Sequence, residues 1–168
     1  MGWFKKRDPA GDVESVLKRV VAYQKAGKLE KAKDAMEEAL ELAPEDPKVW
    51  CIESDIRGAS GDPGSALFSL NYAISLDASF APAWLGKGEL LDARGRPKEA
   101  LDCLTEAVHL DPSNSYAWDA RGVVLSKMGK LEEALASFDQ AIAADPKNAL
   151  AHAHKAEVLE QRGIPRVN

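Results

Sequence analysis

The stretch 118-WDARGVVLSKMGKLEEALASFDQAIAADP-146 decides how this chain is read. Two apolar-periodic runs flank one glycine. Trp118, Gly122 and Leu125 form an i, i+4, i+7 stripe. Ala134, Leu135, Phe138, Ala141 and Ile142 form a second stripe at helical spacing. Gly129 lies between them, where the first helix must stop and the chain reverse, a geometry glycine adopts at low steric cost. Gly122 and Ala134 lack bulk and predict a close approach of the two helices, with Trp118 filling the space between them.

The same unit recurs 34 residues earlier as Trp84, Gly88, Leu91, Gly95, Ala100, Leu104, Ala107 and Pro112. It persists in weaker form as Trp50, Ser54, Gly61, Ala66, Leu70 and Ala73, and again as Val16, Val20, Tyr23, Gly27, Ala32, Met36, Ala39 and Pro44. Half a unit follows the core stretch: His152, Ala156, Leu159 and Gly163. A fixed period of this length marks stacked supersecondary units, because one helical hairpin cannot bury its own apolar faces.

On these residues the chain resembles the tetratricopeptide repeat family, over residues 13–163. The resemblance implies an all-α fold, a right-handed superhelical α-solenoid of helix-turn-helix repeats. Repeats are expected at 13–46, 47–80, 81–114 and 115–148, with a closing helix at 149–162. One departure recurs: where the family often has Leu before the first Gly, this chain has Glu53, Lys87 and Arg121.

Composition fits that reading. Hydrophobic residues make up 45% and aromatics 7%, as in Ala- and Leu-rich helices, and the charged 29% mixes both signs. A net charge of −5 argues against a nucleic-acid partner, which calls for a basic face. No apolar run reaches the length of a membrane span, and the N-terminus lacks a secretory leader's apolar run. Cys51 and Cys103 make no disulfide framework and point to a reducing, cytoplasmic setting.

Residues 1–12 precede the first repeat. Trp3 and Phe4 with Lys5, Lys6 and Arg7 admit a membrane-surface foot; the preferred reading has them covering the first helix or lacking fixed structure. Asp8-Pro9 reads as a turn and Asp12 as the first N-cap. Asp46-Pro47 and Asp62-Pro63 read as N-cap followed by Pro at the first helical position. Pro97 opens a second helix, Asn114 or Ser113 caps the helix of Trp118, and Asn148 caps the last. Val20 stands where other units hold Gly, Ser or Ala and predicts wider spacing, making the first repeat the loosest. Arg57 and Gly58 predict a frayed helix end, or a point where something approaches. Lys155 and Arg162 are expected on the solvent side of the closing helix, and the tail 164–168 leaves it.

No residue pattern points to catalysis. His152 and His154 are two apart on a helix, so they make no metal pair, and His109 stands apart from both. No phosphate loop, dinucleotide fingerprint or nucleophile motif occurs, and no cofactor or metal is expected.

The resemblance implies instead a concave groove lined by the first helices. Its residues here are Leu17, Lys18 and Val21; Cys51, Ile52 and Asp55; Leu85, Glu89 and Asp92; and Tyr116, Asp119, Ala120, Val123 and Lys127. Leu17, Val21, Ile52, Leu85, Tyr116 and Val123 are expected to face solvent, the mark of a binding patch. Asp55, Glu89, Asp92 and Asp119 make its middle acidic, with little positive charge nearby. Family members that hold acidic chaperone C-termini use a clamp of Lys, Asn and Arg, and neither register of this chain supplies a cation there. The expected partner is therefore a protein or peptide segment with apolar anchors and Lys or Arg, and the expected function a non-catalytic interaction scaffold. The alternative is a structural repeat protein that self-associates through its ends or tails.

Overall fold

A computed structural model describes residues 9–163, with side chains from Val13 onward. The readings made of Trp3, Phe4 and the tail 164–168 fall outside the described residues. Every described element is a helix: α1 (Pro9–Lys25), α2 (Leu29–Leu42), α3 (Pro47–Ala59), α4 (Pro63–Leu76), α5 (Ala81–Ala93), α6 (Pro97–Leu110), α7 (Ser115–Lys127), α8 (Leu131–Ala144) and α9 (Ala149–Gln161). The chain forms two compact units that meet in sequence at Ala83 and Trp84. In the first unit α1 packs on α2, α2 on α3 and α3 on α4, and α1 also reaches α3. In the second, α6 packs on α7, α7 on α8 and α8 on α9, and α7 also reaches α9.

The helix ends follow from local chemistry. Asp46 accepts from the Lys48 N–H at 2.8 Å and Asp62 from that of Ser65 at 3.0 Å, each ahead of a Pro. Asn114 caps α7 through the N–H groups of Tyr116 and Ala117, and Asn148 caps α9 through that of Ala151. Between α7 and α8, Gly129 has a φ of 77°. Its N–H donates to Ser126 O and that of Lys130 to Leu125 O, both at 2.9 Å. Those two bonds close a Schellman turn, which needs the left-handed residue. The chain start differs from expectation: α1 begins at Pro9, one turn before Asp12, because proline suits a first helical position.

The core is built by pairing small with large. A Cβ added to Gly122 would lie 2.5 Å from Phe138 Cε1, and one added to Gly88 would lie 2.6 Å from Leu104 Cγ. In the first repeat Val20 takes the small position and Met36 the large one. Both are fully buried in one cluster with Val16, Ala32 and Ala39. The unbranched, flexible Met36 accommodates the bulk of Val20, so the expected loosening leaves no exposed gap there.

Two further expectations are corrected. Gly58 does not end its helix: α3 runs to Ala59 and matches α5 and α7 in length. A Cβ at Gly58 would meet nothing within 4 Å, so the glycine serves no close approach within the chain either. Trp118 does not fill the interior of its own hairpin. Trp118 is half-buried and packs beside Ala107 and Val108 of α6, with its indole N–H donating to Pro112 O at 2.9 Å. Trp50 does the same to Pro44 O at 2.7 Å. His152 occupies the equivalent place and its Nε2 meets Pro146 O at 3.0 Å. Each ring therefore ties the start of a repeat to the loop before it, while Phe138 and its sister residues fill the interior.

Candidate functional site

Six of the expected groove residues, Ala120 among them, converge in the second unit. Glu89, Asp92, Tyr116, Asp119 and Val123 line one cleft of about 260 Å³, together with Leu150. Tyr116 is 65% exposed and Leu150 55% exposed, so two apolar walls stand open to solvent. Leu150 went unread in the sequence, yet it stands 34 residues after Tyr116, and the period itself points to it. Helices α5, α7 and α9 position these side chains, which is why residues so far apart in sequence share one opening.

The acidic residues of this cleft are not bare, as the sequence had suggested. Asp92 accepts from Lys127 Nζ at 2.6 Å, and Asp119, nearly buried, lies 2.9 Å from His154 Nδ1. Both partners stand 35 residues after the acid, one period plus one, on the next first helix. That spacing brings side chains of successive first helices face to face and was the signal available for finding them. His154 also packs against Phe138, with ring centroids 5.8 Å apart. The lining of the cleft still holds three carboxylate residues and no lysine or arginine.

The groove positions of the first unit are arranged differently. Leu17 is 3% exposed and belongs to the core cluster with Val13, Val16 and Val20. Val21 and Ile52 are half-buried, and Ile52 packs on that same cluster. The expected exposed apolar wall is absent there, because neighbouring helices cover one another. Asp55 keeps its surface exposure, but desolvation pushes its carboxyl above the usual carboxylate range. The adjacent Cys51 thiol is pushed up to about 12, first by desolvation and then by Asp55 and Asp46. Desolvation also raises the Cys103 thiol. Both cysteines are free, and neither is poised as a thiolate. In the second unit Leu85 is half-buried against Ala107, Val108 and Ala117.

The polar residues that replace the family's leucine have defined roles. Arg121 donates to Thr105 Oγ1 at 3.1 Å and Ser137 Oγ at 2.6 Å, and its guanidinium lies 5.9 Å from the Trp118 ring centre. Lys87 lies 5.5 Å over Trp84. Glu53 is 4% exposed and accepts from Arg57 Nε at 2.6 Å. Lys155 and Arg162 turn back to Asp139 and Glu132 of α8, correcting the expectation that they stand on the far side of α9. Among the described residues, no cluster of His, Cys, Asp and Glu could hold a metal ion, and no helix is long and apolar enough to cross a membrane.

Helical hairpins closed by glycine turns and repeated every 34 residues define an all-α helical-repeat solenoid. The chain belongs to the tetratricopeptide repeat family: its profiles, described as tetratricopeptide repeat or TPR repeat, match residues 13–46, 59–123 and 124–163. No curated protein matches in sequence. Among solved structures, pilF of Pseudomonas aeruginosa superposes with a TM-score of 0.86 at 21% identity, over 94% of this chain and 72% of that one. MamA from Desulfovibrio magneticus RS-1 superposes with a TM-score of 0.74 at 19% identity, over 93% and 86%. YrrB, described as a TPR protein with an unusual peptide-binding site, gives 0.67 at 26% identity, over 85% and 74%. Membership places the chain among protein-interaction modules, a family that is generally non-enzymatic.

Proposed function

We propose that this protein is a non-catalytic scaffold that holds a segment of a partner protein on its first helices, with the cleft of the second unit as the principal seat. The observation that carries this reading is the joining of open apolar walls, Tyr116 and Leu150, to an acidic floor of Glu89, Asp92 and Asp119. An apolar anchor of the partner lies on Tyr116, Leu150 and Val123, and a lysine or arginine of the partner faces the carboxylates. An acidic peptide is disfavoured, since the lining offers it like charge. The likeness to YrrB supports a peptide as ligand. Leu17, Val21, Ile52 and Asp55 belong to the first unit and Leu85 lies outside the lining, so none of them is part of this seat. The free cysteines fit a reducing compartment such as the cytoplasm.

The test is a calorimetric titration of the full chain with two peptides of equal length, one Leu/Arg-rich and one Leu/Glu-rich. Binding of the first only, weakened about tenfold or more by Glu89→Lys and by added salt, is the expected result. Preference for the acidic peptide would overturn the reading.

A further inference from the structure

The period gives each exposed position three sister positions for comparison, and two residues of α4 break the pattern. The sisters of Phe68 are Asp34, Asp102 and Ala136, and those of Tyr72 are Glu38, Glu106 and Gln140. Phe68 is 62% exposed and Tyr72 37% exposed. Their rings are stacked with centroids 6.3 Å apart, and Trp50 stands edge-on to both, at 6.5 Å from Phe68 and 4.5 Å from Tyr72. From Pro63 to Leu76 helix α4 carries no charged side chain, whereas α2, α6 and α8 each carry several. The tie from Trp50 to Pro44 does not require these rings, because Trp118 makes the same bond with Ala136 and Gln140 in their places.

The sister tryptophans show what such rings attract. Trp84 and Trp118 each take a cation from the residue three positions on, Lys87 and Arg121. In the second repeat that residue is Glu53, turned inward to Arg57. Among the described residues no cation lies over Trp50, Phe68 or Tyr72. The nearby basic groups are engaged elsewhere: Arg57 with Glu53, Lys33 with Glu30 and Lys48 with Glu14. Helix α2, packed against α3, adds exposed Glu37 and Glu41. These hold the positions whose sisters, Thr105 and His109, line the cavity beside Trp118. Among the described residues no ion pair engages either glutamate. Glu37 shares a small cavity with Glu53, Lys33 and Arg57. Aromatic faces attract cations, and carboxylates on the neighbouring helix favour them further.

We propose that the outer face made by Trp50, Phe68 and Tyr72 docks an arginine-bearing segment of a partner protein, its guanidinium lying on the rings and facing Glu37 and Glu41. The cation that the third and fourth repeats supply from within is here supplied by the partner. The surface belongs to the first unit and makes a second contact besides the cleft, so it does not depend on what the cleft binds.

The sisters themselves supply the variant for the test. Phe68→Asp with Tyr72→Glu installs residues that other repeats carry at these places, and it adds negative charge while removing the rings. The probe is the peptide Ac-Gly-Arg-Leu-Gly-Arg-Leu-amide, with a citrulline version as control, titrated into the full chain and followed by NMR at each indole N–H. The expected result is a shift of the Trp50 indole N–H with the arginine peptide only. The double variant should weaken that contact by about tenfold, while Glu89→Lys leaves it unchanged. Undiminished binding at Trp50 in the double variant would overturn the proposal, since charge alone would then hold the peptide. A concentration-dependent dimer that the double variant abolishes would also overturn it, by assigning the face to a second copy. A thermal melt of the double variant within a few degrees of the parent shows that the loss is not unfolding.

Discussion

The α3–α4 and α7–α8 hairpins share one frame and solve its packing in different ways. In α7–α8 the interior pair is Gly122 with Phe138, and the residue before the glycine, Arg121, bonds Thr105 and Ser137 while covering Trp118. In α3–α4 the corresponding residues are Ser54 and Leu70, Glu53 turns inward, and Tyr72 and Phe68 cover Trp50. A cation beside the ring makes aromatic neighbours unnecessary, and an anion there leaves the ring to be covered by something else. Changing the sign of one side chain is thus accompanied by a change in the surface one helix away. Residues 47–58 lie between two of the profile matches, yet α3 is as long and regular as α7. Its Asp46 cap and the Glu53–Arg57 pair sustain it where the repeat pattern weakens.

The sharpest way to break this comparison is to truncate the two interior residues. Phe138→Ala should cost about 3–5 kcal/mol and Leu70→Ala about 2–5, toward the lower end because Ser54 already fills part of its space. Urea denaturation measures both, and a larger loss for Leu70→Ala would contradict the small-with-large pairing. Next in size are the tryptophans. Both lose a half-buried ring and a bond to a loop carbonyl, so Trp118→Ala should cost about 2 kcal/mol. Trp50→Ala should cost about 0.5–1.5 kcal/mol more, because it also loses its aromatic neighbours. Equal costs would mean that Tyr72 and Phe68 contribute nothing to the fold.

The smallest expected effect is a pH dependence within the first unit. Asp55 titrates above its ordinary range, so the native state holds its proton more tightly than the unfolded chain does. Stability from this group rises as pH falls from the raised native value toward the unfolded one, and above both the crowded carboxylate is unfavourable. Asp62 has the opposite sign. Its bonds from Ser65 hold its carboxyl low, so its contribution is present above the unfolded value and lost as pH falls through the native one. Asp55→Asn should raise Tm slightly at neutral pH and remove the first slope, whereas Asp62→Asn should remove the second. Melting curves across acidic pH separate them.

The period, the glycine turns and most of the caps were legible in the sequence, because each rests on local backbone chemistry. Gly129, Asp46 and Asn148 act within a few residues of where they stand. The location of Trp118 was not legible: its stripe has a neighbour on either side, and only packing decides which one the indole meets. Leu17 was read as groove lining and is core for the same reason. A position on a first helix gives its azimuth, but the neighbouring helix decides whether solvent reaches it. The sequence places Lys127 on the same surface as Asp92 without pairing the two, and it leaves His154 out of the groove. Lys127 and His154 lie one period plus one away, where the next first helix brings them alongside.

The ring-to-carbonyl bonds of Trp50, Trp118 and His152 each span six residues, from Pro44, Pro112 and Pro146. Such a clasp works as a ruler. It fits a junction of one length and fails when a residue is inserted or deleted between the proline and the ring. Insertions should therefore be tolerated at the exposed turn around Gly61 and resisted between Pro112 and Trp118. A copy of residues 115–148 spliced in after Asn148 would carry its own measured junction, so the array is extendable in whole repeats and in no smaller step.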